Sequence, residues 1–172
     1  RLRRVDLEAA RRAPGVAAVL TAEDIPGSNQ IGGIIQDEPL FAADEVHFVG
    51  QPIAVVVAAS RREARRAAAM ISADIEPLDA LLDPRQAAAR GQIIGAVRTL
   101  ALGDLDAALA RCDLVVSGRV DSGGQEHCYL ETQAAMALPR EGGRIHLLSG
   151  TQSPTLVQRI TARVLGLPGG TL

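Results

Sequence analysis

Apolar and polar positions along this chain change period several times, and each change predicts an element. Asp6 is placed to cap a short helix running through Arg12, which Pro14-Gly15 stops. The apolar run VAAVL (16–20) reads as a buried strand, and Thr21-Ala22-Glu23-Asp24 as one capped turn closed by Pro26-Gly27. Residues 27–40 are glycine-rich and suit a loop. The β-branched run IAVVVA (53–58) then predicts an interior strand. Ser60 followed by Glu63 makes a capping box for a helix expected to reach about Ser72. On that helix Arg61, Arg62, Arg65 and Arg66 fall on one side, and Ala64, Ala67, Ala68 and Ile71 on the other. A cationic stripe of this kind ordinarily reads as a solvated face.

Residues 77–96 contain Pro77, Pro84, an alanine-rich turn and Gly91, and read as connecting chain. Beyond them VRTLALG (97–103) is extended, and Asp104 caps a helix LDAALARC. DLVVSGRVDSG (113–123), QAAMALPR (133–140) and RIHLLSG (144–150) alternate as strands do. Ser153 caps and Pro154 starts a last helix, TLVQRITARVL, ended by Gly166 and Pro168. The chain opens RLRRVDLEAA without an initiator methionine, and reads as a piece of something longer.

Composition removes several function classes. The 172 residues are 47% hydrophobic and 22% charged, a globular balance. A net charge of −2 and 2% aromatic residues without tryptophan argue against nucleic acid as a partner. No run of about 18 apolar residues predicts a membrane span. All 18 basic residues are arginine, so the chain holds neither a Schiff-base lysine nor a phosphate-loop lysine. Cys112 and Cys128 form no C-x-x-C pair, so reduced thiols in a cytoplasmic protein are the expectation.

Candidate chemistry concentrates in residues 123–133, GGQEHCYLETQ. Gly123 and Gly124 permit close approach of the backbone. Gln125 offers a neutral amide, able to donate a hydrogen bond to an oxygen on a metal centre without delivering a net charge. On a strand Glu126, His127 and Cys128 would alternate between faces, which excludes a Glu-His or Cys-His pair acting on one atom. The histidines His47, His127 and His146 are scattered among apolar neighbours, and no complete catalytic set or direct metal ligand set is present. The residues alone leave 123–133 either an active-site strand or a polar strand edge.

GGQEHCYLETQ resembles the GGQEHFYLE-type motif of the molybdenum hydroxylases, the xanthine dehydrogenase and aldehyde oxidase family. PGVAAVLTAEDIPG and FVGQPIAVVVAASRREARRAA resemble that family's α/β hammerhead domain. GDLDAALARCDLVVSGRV and TQSPTLVQRITARVLGLP resemble segments of its molybdopterin-binding domain. The resemblance covers nearly the whole chain in order and points to the xanthine dehydrogenase branch. It implies an α+β fold: a hammerhead domain over 1–83, a linker over 84–96, and the start of the molybdopterin-binding domain over 97–172.

It further implies oxidative hydroxylation of a purine or aldehyde carbon with water as oxygen source. Gln125 would hydrogen-bond an oxo ligand of the molybdenum, with Gly124 beside the cofactor and Glu126 and Glu131 holding the strand. Cys128 stands where the family commonly has an aromatic. No catalytic residue is expected within the chain, because the GGGFGGKE-type segment and the base glutamate would lie beyond Leu172. Molybdopterin would belong to the full enzyme, and iron–sulfur clusters and FAD to other segments or subunits. The implied partners are the remainder of the molybdenum subunit and the iron–sulfur/FAD subunit. A non-enzymatic hammerhead-type interaction or assembly module is the alternative.

Overall fold

The computed structural model describes all residues, Arg1–Leu172. In chain order the regular elements are β1 (Leu2–Asp6), α1 (Glu8–Arg11), β2 (Val16–Leu20), β3 (Val55–Ala58), α2 (Arg61–Ala68) and β4 (Ser72–Ile75). They continue with α3 (Pro84–Ala89), α4 (Leu105–Leu109), β5 (Ala135–Pro139), β6 (Ile145–Ser149) and α5 (Pro154–Leu165). The strands form three antiparallel two-stranded ribbons, β1-β4, β2-β3 and β5-β6. Residues 1–78 and 132–172 make one compact unit, and residues 79–131 a second.

The core of the first unit is built from small side chains. Leu7, Ala10, Val19 and Ala67 are buried, with Val5, Ala13, Val16, Ala54, Val56 and Ile71 packed around them. Alanine at positions 10 and 67 lets α1 and α2 approach one another and the ribbon beneath. The β2-β3 register pairs Val19 with Val56 and Leu20 with Val55. Side chains alternate across a strand, so one pair faces the core and the other faces away. The expectation of an interior strand at 53–58 is therefore corrected. The regular part is Val55–Ala58, with Val55 and Val57 42% and 45% exposed, because the sheet ends at two strands and covers one face only.

The capping predictions mostly hold. Asp6 Oδ1 accepts a hydrogen bond from the Glu8 amide at the start of α1. Asp24 accepts from both the amide and the hydroxyl of Thr21, closing the one-turn helix after β2. Ser60 Oγ accepts from the Glu63 amide and donates to the Glu63 carboxylate. However, α2 stops at Ala68 instead of about Ser72. Met70 and Ile71 amides turn back to the Ala67 and Ala68 carbonyls, and Ser72–Ile75 becomes β4. Its partner β1 was not predicted either. The ribbon joins Val5 to Ala73 and Asp6 to Ser72, and is closed by the amino terminus on the Glu76 carbonyl and by the Arg3–Glu76 ion pair. Neither strand has an apolar pattern of its own, and each is fixed by pairing across some seventy residues.

Residues 27–40 are irregular, as predicted. Asn29 gives the loop its shape, accepting from the Phe41 amide and donating to the Phe41 carbonyl. Nearby, buried Gln51 accepts from the His47 amide at 2.6 Å. The β5-β6 hairpin pairs Ala135 with Ser149 and Pro139 with Ile145, as the alternation predicted. Its turn needs two left-handed residues, which Gly142 and Gly143 supply at φ 69° and 73°.

Helix α5 begins at Pro154 and ends at left-handed Gly166 as expected, but the Ser153 hydroxyl makes no cap. Thr151 Oγ1 instead accepts from the Ser153 amide. The carboxyl end of α5 explains why it belongs to the first unit. The last carbonyls of a helix lack partners within the helix. Here Val164 and Arg163 carbonyls accept from the Gly27 and Ser28 amides at 2.9 and 3.0 Å. The Arg163 guanidinium returns across the same contact to the Gln30 and Gly32 carbonyls. A Cβ at position 27 would lie 2.1 Å from the Arg163 carbonyl oxygen, so only glycine allows this approach.

In residues 79–131, which read as connecting chain and the beginning of a sheet, two short helices form and no strand does. Asp83 caps α3 by accepting from the Arg85 and Gln86 amides. Asp104 caps α4 by accepting from the Ala107 amide. The strand expected at 113–123 is not formed, and 97–103 has no partner strand either. None of these residues is buried, and Leu100, Leu102, Val116, Val120 and Leu130 are almost fully exposed. Alternating sequence specifies which face would point inward, but a strand needs a neighbour for its amides and carbonyls.

Candidate functional site

The segment Gly123–Gln133 lies in the second unit up to Glu131, and it is an irregular exposed loop, not a strand. Its local order comes from its own side chains. The Glu126 carboxylate accepts from the amides of His127 and Cys128, at 3.0 and 3.4 Å. That turn places Cys128 at φ 52°, the chain's only non-glycine residue in the left-handed region. The His127 and Tyr129 rings then stack, 5.6 Å between centroids and 5° from parallel.

These contacts sort the predicted residues. Glu126 is engaged with backbone, which removes it from chemistry and gives it the holding role expected of it, on a turn instead of a strand. Glu131 is exposed and makes no such bond. His127 is committed to Tyr129 and not to Cys128, so the exclusion of a Cys-His pair stands on different geometry from the one predicted. Gln125 is exposed, and nothing within the chain engages its carboxamide. The space beside Gly123 and Gly124 is open, with nothing within 4 Å of a Cβ built on either.

No group of three or more His, Cys, Asp or Glu side chains could hold a metal ion. No helix is long and apolar enough to cross a membrane. The cavities lie elsewhere. One of about 370 Å³ is lined by Gly32, Leu156, Arg159 and Arg163 at α5, and a wider one of about 680 Å³ by Arg140, Arg144 and His146 at the β5-β6 turn. Sequence reasoning did not single out Arg163, whose role in joining α5 to the 27–32 loop is invisible without the fold.

Two small-residue helices packed on antiparallel ribbons, with a glycine-led polar loop and a longer helix further along the chain, make this an α+β chain. Residues 1–79 match the a/b hammerhead domain of aldehyde oxidase and xanthine dehydrogenase, and residues 87–172 match the molybdopterin cofactor-binding domain. The chain belongs to the aldehyde oxidase and xanthine dehydrogenase family. It is 37% identical over 172 residues to xanthine dehydrogenase of Oryza sativa subsp. japonica, covering 98% of this chain and 13% of that protein. It is 40% identical over 165 residues to xanthine dehydrogenase/oxidase of Mus musculus, covering 95% and 12%. Among solved structures, aldehyde oxidoreductase from Desulfovibrio gigas superposes with a TM-score of 0.85 at 28% identity, covering 99% of this chain and 21% of that one. Quinoline 2-oxidoreductase from Pseudomonas putida 86 gives 0.80 at 28% identity, covering 99% and 24%. The chain thus spans about an eighth of the length of its curated relatives.

The family implies a molybdopterin cofactor. The donor chemistry of the 123–133 loop fits a neutral hydrogen bond to such a group: the unengaged carboxamide of Gln125 follows two glycines with open space beside them, and no arginine or lysine lies among Gly123–Gln133. The loop provides neither metal ligands nor an enclosing wall.

Proposed function

We propose that this chain is part of the molybdenum-binding portion of a xanthine dehydrogenase-like hydroxylase acting on a purine or aldehyde carbon. Residues 1–83 form its hammerhead domain, 84–96 a linker and 97–172 the start of its molybdopterin-binding domain. The relatives named xanthine dehydrogenase support the branch. The remainder of the molybdenum subunit would complete the site, with iron–sulfur clusters and FAD on other segments or subunits. The protein would work in the cytoplasm.

One observation carries the site assignment. In a loop where Glu126, His127 and Tyr129 are engaged locally, Gln125 presents an unengaged carboxamide directly beside the two glycines, whereas other unengaged polar side chains such as Glu131 and Gln133 lie further along the loop. When bound, the cofactor supplies the oxidative chemistry, and the protein contributes orientation and hydrogen bonding. Gln125 would donate one neutral hydrogen bond to it, and Gly124 would keep the backbone free of a side chain at the point of approach. Glu126 would hold the loop in its turned form by accepting from the two following amides.

The test is Gln125→Ala in the full-length enzyme, with molybdenum content, melting temperature and turnover measured on one preparation. Because Gln125 makes no bond within this chain, its loss should leave the melting temperature unchanged. Turnover per molybdenum, or molybdenum content itself, should fall about 10- to 100-fold, the usual cost of losing a group that supports a metal site. Full molybdenum content with normal turnover would remove Gln125 from the site.

A further inference from the structure

The exposed face of α2 carries Arg61, Arg62, Arg65 and Arg66, and none of the four takes part in an ion pair or a side-chain hydrogen bond. The nearby acids are already committed. Glu63 bonds Ser60, and Glu8 on the neighbouring α1 lies within 4.0 Å of both Arg11 and Arg12. The opposite side of α2 is fixed in the core through Ala67, so the arginines cannot rotate away from solvent. Four unneutralised guanidiniums in six residues repel one another in a chain whose net charge is −2.

We infer that this face docks a helix of a separate partner protein that presents carboxylates at i and i+4. Arg61 and Arg65 make one row along α2, and Arg62 and Arg66 the adjacent row. Partners within a row sit about 6 Å apart along the axis at 1.5 Å rise per residue. Carboxylates spaced i and i+4 on a facing helix repeat at the same interval, and each guanidinium fork donates two parallel hydrogen bonds to one of them. A second copy of this chain is not the partner, because none of its helices carries carboxylates at i and i+4. Nucleic acid fits less well. The patch spans only about 7.5 Å along the helix axis, and Asp plus Glu outnumber Arg by 20 to 18 over the whole chain. A membrane surface fits less well too, since the arginine face offers no apolar side chain to insert.

The experiment uses the intact protein and three fluorescent probes: an alanine-rich helical peptide with glutamates at i and i+4, polyuridylate, and vesicles containing phosphatidylserine. The helical peptide should bind, and its association rate should fall about tenfold or more in R61Q/R62Q/R65Q/R66Q, within the range that electrostatic steering supplies. The four-lysine variant should retain the salt dependence but dissociate faster, because lysine lacks the fork. The melting temperature of both variants should match the parent, since the four side chains hold nothing within the fold. The parent protein supplies a check that needs no variant. Its binding of the helical peptide should weaken steeply between about 0.01 and 1 M salt, as the screening length falls from about 30 to about 3 Å. Salt-independent binding, no binding, equal binding by the glutamine variant, or polyuridylate or vesicles bound as tightly as the helical peptide would each overturn the inference.

Discussion

Gly27 and Gly33 lie in the same loop, yet the structure gives them opposite tolerances. A methyl group at Gly27 would collide with the Arg163 carbonyl at 2.1 Å and the Gly166 amide nitrogen at 2.5 Å, both of them backbone. At Gly33 it would meet only Leu156 methyl groups at 3.6 and 3.7 Å, ordinary contact distances. Gly27→Ala should therefore destabilise the protein by about 1–3 kcal/mol, the usual cost of forcing atoms into a filled site. Gly33→Ala should change stability by less than about 0.5 kcal/mol. Paired urea melts of the two variants make the comparison, and equal losses would mean that α5 does not dock where the structure puts it.

Among the elements, α3 has the clearest dependence on pH. The Asp83 carboxyl is held below its ordinary value of 3.8, first by the Arg85 side chain, then by the Arg85 and Gln86 amides, with burial opposing. A carboxyl whose folded pKa is depressed contributes its full stabilisation above the unfolded value, and loses it as pH falls through the folded one. Helix α3 should thus keep its population from pH 7 down to about 4, then fray below that. Backbone chemical shifts of residues 84–89 followed by NMR would show the transition. Asparagine caps helices about as well as aspartate, so Asp83→Asn should preserve α3 at neutral pH and remove the acid transition. A transition that survives in Asp83→Asn would assign it to another group.

At the scale of the whole molecule, the two units differ in what holds them. The first has a buried core and a helix tied back by reciprocal hydrogen bonds, whereas residues 79–131 bury nothing. Exposed apolar residues such as Leu100, Leu102 and Val120 should bind a hydrophobic dye in the isolated chain. Trypsin should cut first at the exposed Arg90, Arg98, Arg111 and Arg119. The flanking pieces should stay together on a sizing column under native conditions, because α5 remains docked on Gly27–Gly32. Separation of the pieces without denaturant would contradict that docking.

The sequence by itself determined whatever rests on neighbours within a few residues. The caps at Asp6, Ser60, Asp83 and Asp104 each join a side chain to an amide two or three positions on, the turn at Thr21 joins the Asp24 carboxylate back to the Thr21 amide, and all of these but Asp83 were legible beforehand. Strands β2, β5 and β6 were legible too, because their apolar residues follow one local pattern, although β2 buries only Val19 and is not the buried strand expected. Gln125 and Gly124 were singled out from the motif, and the structure leaves the Gln125 carboxamide unengaged, as it does that of Gln133. Only the tertiary structure decided the rest. The chain past Ala68 could continue as helix or pair as a strand, and β1, some seventy residues away, made the difference. The alternating run 113–123 has the pattern of a strand and no partner, so it remains irregular. The role of Arg163 depends on two carbonyls more than 130 residues distant, a separation over which no local pattern carries information.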